Sequence, residues 1–161
     1  MILAGILTGC VGYKVGPVSG VVAGDKSVQV VPFLNQTLQP RLTEAVTQQL
    51  RKELQRDGTF TLATRDSGDI VVNGTLTRYD RRELSFSSDD VLTVRDYRLT
   101  IVAQVIVRER INGEVLFDGP VNGVTLIRVG SDLASAERQA LPLLARDLAR
   151  NITDLLTDGT W

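Results

Sequence analysis

Leu7-Thr8-Gly9-Cys10 and the run Arg78-Tyr79-Asp80-Arg81-Arg82-Glu83 are the two places where residue type and spacing could do chemistry. Cys10 is the only cysteine, with Gly9 before it and Leu7 three positions back, at the end of an apolar run that starts at Met1. That is the arrangement of a bacterial lipobox. Small residues admit a signal peptidase at the cut, and the freed thiol takes a diacylglycerol whose acyl chains hold a protein on a membrane at ~0.8 kcal/mol per buried CH₂. Residues 1–9 then read as the remnant of a signal peptide, short and without Lys or Arg. The alternative is a cysteine that simply belongs to a short hydrophobic terminus.

The second place gathers Arg78, Arg81 and Arg82, followed beyond Ser87-Ser88-Asp89-Asp90 by Arg95 and Arg98. If residues 70–86 pair with residues 94–108, these five arginines approach one end of one hairpin. A guanidinium fork grips phosphate or carboxylate through two parallel N–H bonds, so such a place could hold the phosphorylated headgroup of a lipid. The alternative is an exposed ladder in which each arginine answers a nearby acid, a kind of pair that contributes little individually.

Composition narrows the chemistry further. There is no histidine, and a single thiol consumed by lipidation leaves no Ser-His or Cys-His nucleophile and no usual zinc set. The acids around residues 80–90 lack the ligand spacing of a calcium loop. No catalytic residue, metal or cofactor is therefore expected. Eighteen basic residues against nineteen acidic ones give no bulk attraction to nucleic acid, so an anion site has to be a local cluster.

These residues need elements to position them. Residues 10–26 carry Gly12, Gly16, Gly20, Gly24 and Pro17, the composition of an extended tether behind the lipidated cysteine. Residues 27–161 form one domain. Val28, Val30 and Val31 predict a strand over residues 27–33, and residues 35–40 a turn. Leu42, Val46, Leu50 and Leu54 recur every four residues and predict a helix over 41–57 capped by Gly58, with Arg51-Lys52-Glu53 on its wet side. A short strand over 59–65 completes a β-α-β unit. A long strand follows over 70–86, with Val72, Leu76, Leu84 and Phe86 as its apolar markers. The strict alternation from Tyr97 to Val107 gives the clearest strand, and Asn112-Gly113 predicts a type I′ hairpin into residues 115–128. Gly119-Pro120 in that return strand marks it as an edge or a bulge. A final helix runs over about 132–156 from a cap at Ser131 or Asp132, kinked or split near Leu141 by Pro142. The expected fold is α+β and two-layered, with two helices packed on one face of a mainly antiparallel four- to five-stranded sheet.

In this order the pieces resemble the lipopolysaccharide-assembly lipoprotein family, LptE. The likeness rests on the lipobox cysteine followed by Gly12-Tyr13, Val30-Val31-Pro32-Phe33 with Asn35, and the helix opening Leu42-Thr43-Glu44-Ala45. It continues through Asp69-Ile70-Val71-Val72-Asn73-Gly74-Thr75-Leu76, Tyr97-Arg98-Leu99-Thr100 and a long C-terminal helix ending near Trp161. The resemblance implies a non-catalytic protein on the periplasmic side of the outer membrane, lipid-anchored through Cys10. It implies a plug that helps assemble a large LptD-like β-barrel and binds lipopolysaccharide. The arginine cluster itself, not the resemblance, makes Arg78, Arg81, Arg82, Arg95 and Arg98 the residues expected to meet barrel or lipid. A different periplasmic adaptor lipoprotein, docking another secretion or cell-envelope partner, is the alternative.

Overall fold

The computed structural model describes residues 24–86, 94–129 and 132–159, so Cys10, most of its tether and the turn at residues 87–90 lie outside the described residues. The element order is β1 (Ser27–Val30), β2 (Leu34–Asn35), α1 (Leu42–Asp57), β3 (Thr61–Leu62), β4 (Ile70–Phe86), β5 (Val94–Glu109), β6 (Val115–Arg128) and α2 (Leu133–Asp158). The strands make one six-stranded sheet ordered β3-β1-β4-β5-β6, with β2 also on β4. The expected two-layer α+β arrangement holds, with two refinements: the sheet has six strands rather than four to five, the two-residue β2 and β3 among them, and it is mixed. The chain passes from β1 to β3 through α1, and such a crossover makes parallel neighbours. β1 and the two-residue β2, which opens the expected turn, also lie parallel to β4.

The periodicities act as read. Leu99, Ile101, Ala103, Val105 and Val107 of β5 are all fully buried, as are Leu42, Val46 and Leu50 of α1 and Leu144, Leu148 and Ile152 of α2. Gly58 takes φ 77° and its N–H reaches the Leu54 carbonyl at 3.1 Å, closing α1. The Asp132 carboxylate accepts from the N–H groups of Ala134 at 3.0 Å and Ser135 at 3.1 Å, opening α2. That helix runs unbroken through Pro142, so no split occurs. The proline is on its exposed side, where the carbonyl it leaves without a donor can meet water.

Three expectations give way. Glu53, assigned to the wet side of α1, is only 7% exposed. Its carboxylate accepts from Arg56 on its own helix and, at 3.1 Å, from Arg146 of α2, so long-range pairing draws it into the helix–helix seam. Leu84, read as an apolar marker of β4, is 47% exposed, because a register irregularity between Leu76 and Arg78 changes which parity faces the helices. Asn112 does not adopt positive φ; only Gly113 does, at 72°. The connection is a longer turn closed by the Gly113 N–H to the Glu109 carbonyl at 3.0 Å, and the Asn112 side chain accepts from the Glu114 N–H at 2.9 Å. That Asx contact stabilises a conformation a type I′ turn does not have.

Glu53→Ala is expected to destabilise the domain by about 1–2 kcal/mol, the loss of charged hydrogen bonds whose arginine ends are half in solvent. Urea unfolding measures it, and Arg146→Ala should cost less because it leaves Glu53 its bond to Arg56.

Candidate functional site

Alternation along β4 and β5 sorts the arginines by face. Above the bulge, Arg78 pairs with Val102, Asp80 with Thr100 and Arg82 with Arg98 on the side away from the helices, while Tyr79, Arg81 and Glu83 lie opposite Ile101, Leu99 and Tyr97 on the helix side. The hairpin thus brings Arg78, Arg82 and Arg98 onto one face and carries Arg81 to the other. Arg95 lies in β5, and its side chain falls outside the description.

Arg81 is held. Its guanidinium donates to the Glu137 carboxylate of α2 at 2.8 Å and lies 5.7 Å from the centre of the Tyr97 ring. Tyr79 Oη donates to the same carboxylate at 3.3 Å. The Glu137 carboxylate bonded to Arg81 raises the arginine's already high pKa. Burial, then the negative charge of Glu137, push the Tyr79 hydroxyl up to about 12. Folding therefore favours neutral Tyr79, a contribution fully present below the ordinary tyrosine value of 10 and lost as pH climbs toward 12. Tyr79→Phe is expected to flatten that part of the alkaline decline, read as the difference in melting temperature between variant and wild type from pH 9 to 12.

The outer face differs. Arg78 donates to Asp80 at 3.0 Å. Arg82 and Arg98 stand directly opposite each other, both exposed, and among the described residues neither has an acidic partner. Beside Arg98 in register is Leu126 of β6, 62% exposed, with Val124 next along the same face at 40%. Leu84, Asp96, Leu126, Ile127 and Arg128 line a shallow depression there, in which Arg128 donates to Asp96 at 2.9 Å. The arrangement is two exposed arginines directly opposed in register and bordered by exposed aliphatic side chains. Chemically it suits a ligand that carries a phosphate next to an acyl chain. The aliphatic border escaped sequence reasoning; the only signal for it was the alternation of Asn122, Val124 and Leu126 in the return strand.

Among the described residues no group of three or more acidic, cysteine or histidine side chains could hold a metal ion, and no helix is long and apolar enough to cross a membrane.

A family model described as Lipopolysaccharide-assembly matches residues 26–156. Among solved structures, the hypothetical protein CT253 of Chlamydia trachomatis superposes with a TM-score of 0.61 at 12% identity, covering 86% of this chain and 98% of that one. A minor lipoprotein of Acinetobacter baumannii gives 0.54 at 14% identity, covering 82% and 92%. Uncharacterized lipoprotein B of Nitrosomonas europaea gives 0.54 at 13% identity, covering 91% of each chain. At such identities the likeness shows a shared fold. A comparison with curated protein sequences returns no significant match.

Proposed function

The chain belongs to the LptE lipopolysaccharide-assembly family, whose model spans residues 26–156, and on that premise we propose that it is a lipoprotein plug for an LptD-type barrel. In this reading Cys10 carries the acyl anchor on the periplasmic side of the outer membrane, the rest of residues 10–26 tethers the domain, and the domain sits in the barrel lumen. It helps that barrel assemble and handles lipopolysaccharide on its way to the outer leaflet. The role is one of binding and placement rather than catalysis.

The observation that supports this best is the Arg82–Arg98 pair. Like charges directly opposite on a sheet destabilise it, so two arginines kept there with no acidic partner among the described residues make a site that an anion completes. Phosphate bound by two guanidinium groups removes the repulsion and gains charge-assisted hydrogen bonds. The neighbouring Leu84, Val124 and Leu126 offer acyl chains an apolar surface. Arg81 belongs to this reading as a positioning residue that ties the hairpin to α2.

Two measurements test the reading together. Purified in detergent from its native membrane, the protein is expected to bring a large β-barrel protein with it; recovery of a different envelope partner would favour an adaptor of another system. Cys10→Ala is expected to leave the outer-membrane fraction when the barrel is absent. A variant that still floats with that membrane would remove the anchor.

A further inference from the structure

The two edges of the sheet are finished differently. On the β6 edge, Asp147 of α2 accepts from the Val124 N–H at 2.8 Å and Asn151 donates to the Asn122 carbonyl at 2.7 Å. The main-chain groups of these two residues therefore point away from β5. Pro120, of the same parity, has no N–H to offer there. That edge is closed against a further strand.

The same parity fixes the opposite edge. Asn122 and Val124 face Val102 and Thr100 without exchanging hydrogen bonds, so those β5 residues turn their N–H and C=O groups toward β4. They meet Arg78 and Asp80, which makes the intervening Tyr79, Arg81 and Glu83 the residues whose main-chain groups point outward. Below the bulge the outward carbonyls of Val72 and Leu76 are taken by the N–H groups of Val31 and Gln36. Above it, no strand among the described residues pairs with β4 on that side, since β1 stops at Val72 and β2 at Leu76. Three N–H and three C=O groups stand on an edge that is open among the described residues.

We propose that this edge pairs with the same edge of a second copy of the chain, antiparallel about a two-fold axis at Arg81. Arg81 then exchanges two main-chain bonds with its own counterpart, and Tyr79 exchanges two with Glu83 on each side, which satisfies every outward group in both copies. On the outer face this register sets Asp80 of each copy against Arg82 of the other. Moving the axis to residue 80 sets Asp80 on Asp80 and Arg78 on Arg82; moving it to residue 82 sets Arg82 on Arg82. Of these three registers, the one at Arg81 alone opposes unlike charges on that face. On the helix face the two Arg81 side chains are each already neutralised by Glu137. The register also brings Leu84 of one copy beside Arg78 of the other, at the groove that Gln36, Leu38 and Gln39 form against Thr77 and Arg78, where Leu38 is fully exposed. The charges on these strands do not protect the edge from this one pairing, because they complement it.

The register gives the test. In the full chain carrying Cys10→Ser, single cysteines are introduced as Asp80→Cys, Arg81→Cys and Arg82→Cys and mildly oxidised. Opposed residues of a hydrogen-bonded pair lie about 5.5 Å apart, within reach of a disulfide, so Arg81→Cys is expected to form homodimer at least about tenfold faster than either of the others. A mixture of Asp80→Cys and Arg82→Cys is expected to cross-link with each other. Glu83→Pro, which removes an outward N–H, should suppress the Arg81→Cys dimer, whereas Glu83→Ala, which keeps it, should not; circular dichroism melts establish that all variants are folded. Equal cross-linking at the three positions, or none at any, overturns the proposal. Neither barrel nor glycolipid enters the experiment, and Arg98→Glu should leave the cross-link intact. Failure here is thus separate from failure of the plug and glycolipid reading.

Discussion

Gly74→Ala is expected to cost the domain at least about 3 kcal/mol, a fall in melting temperature of roughly 8–12 °C for a domain of this size. Gly74 sits in β4 opposite Val105, on the face that packs against the helices. A Cβ there would lie 2.0 Å from Phe33 Cε1 and 2.4 Å from two more atoms of the same ring. The ring has little freedom to yield: Phe33 is 1% exposed, and its N–H is fixed to Thr47 Oγ1 of α1 at 3.1 Å. Alanine would push the ring out of the core or push β4 off β1. Phe33→Leu in the same background is expected to recover part of the loss, so that the double variant is more stable than the sum of the singles predicts. A Gly74→Ala protein melting within 2 °C of wild type would show that the ring relocates freely. Gly123 marks a second close approach, where a Cβ would come within 2.7 Å of Leu148 Cβ and of its main-chain nitrogen. There β6 and α2 pack nearly backbone to backbone.

These two glycines show where sequence reasoning succeeds and where it stops. Within a segment, period-two alternation in β5 and the four-residue stripe of α1 give the buried face directly, because local geometry alone decides it. Gly74 and Gly123 look instead like weak points of their strands, since the ring and the helix that need their empty space are distant in the chain. Glu53 was misplaced for the same reason: nothing near it in sequence announces Arg146. The bulge after Leu76 is subtler, since Thr77 is an ordinary strand residue and the shift shows only against the partner strand. Its consequence reaches the candidate site. Simple convergence of the arginines on one end of the hairpin becomes a division in which Arg81 serves the fold and Arg82 and Arg98 are left together on the outer face. It also changes which main-chain groups of β4 point outward along the edge that β1 and β2 leave unpaired among the described residues.

Arg98→Glu should separate stability from binding, moving them in opposite directions. In the wild type two guanidinium groups face each other across the β4–β5 ladder with no acid between them among the described residues. Reversing one charge turns repulsion into a cross-strand ion pair with Arg82, a gain of about 0.2–1 kcal/mol in stability at low salt. The same change removes half of the anion grip and gives its place to a carboxylate. Binding of purified lipopolysaccharide, followed by displacement of a fluorescent analogue, should weaken at least tenfold, about 1.4 kcal/mol. Arg78→Glu should weaken it far less, because that guanidinium is already taken up by Asp80 at 3.0 Å. Leu126→Ser should weaken it without changing any charge, if acyl chains lie against the aliphatic border. Raising ionic strength should erode the effect of Arg98→Glu on stability, since the groups are exposed and screened beyond ~10 Å at 0.1 M salt, while the effect of Leu126→Ser on binding should persist. An ordinary salt-bridge ladder predicts a different pattern: Arg98→Glu would leave glycolipid binding unchanged. Finding that pattern would return these arginines to the surface of the sheet and take the glycolipid site with them.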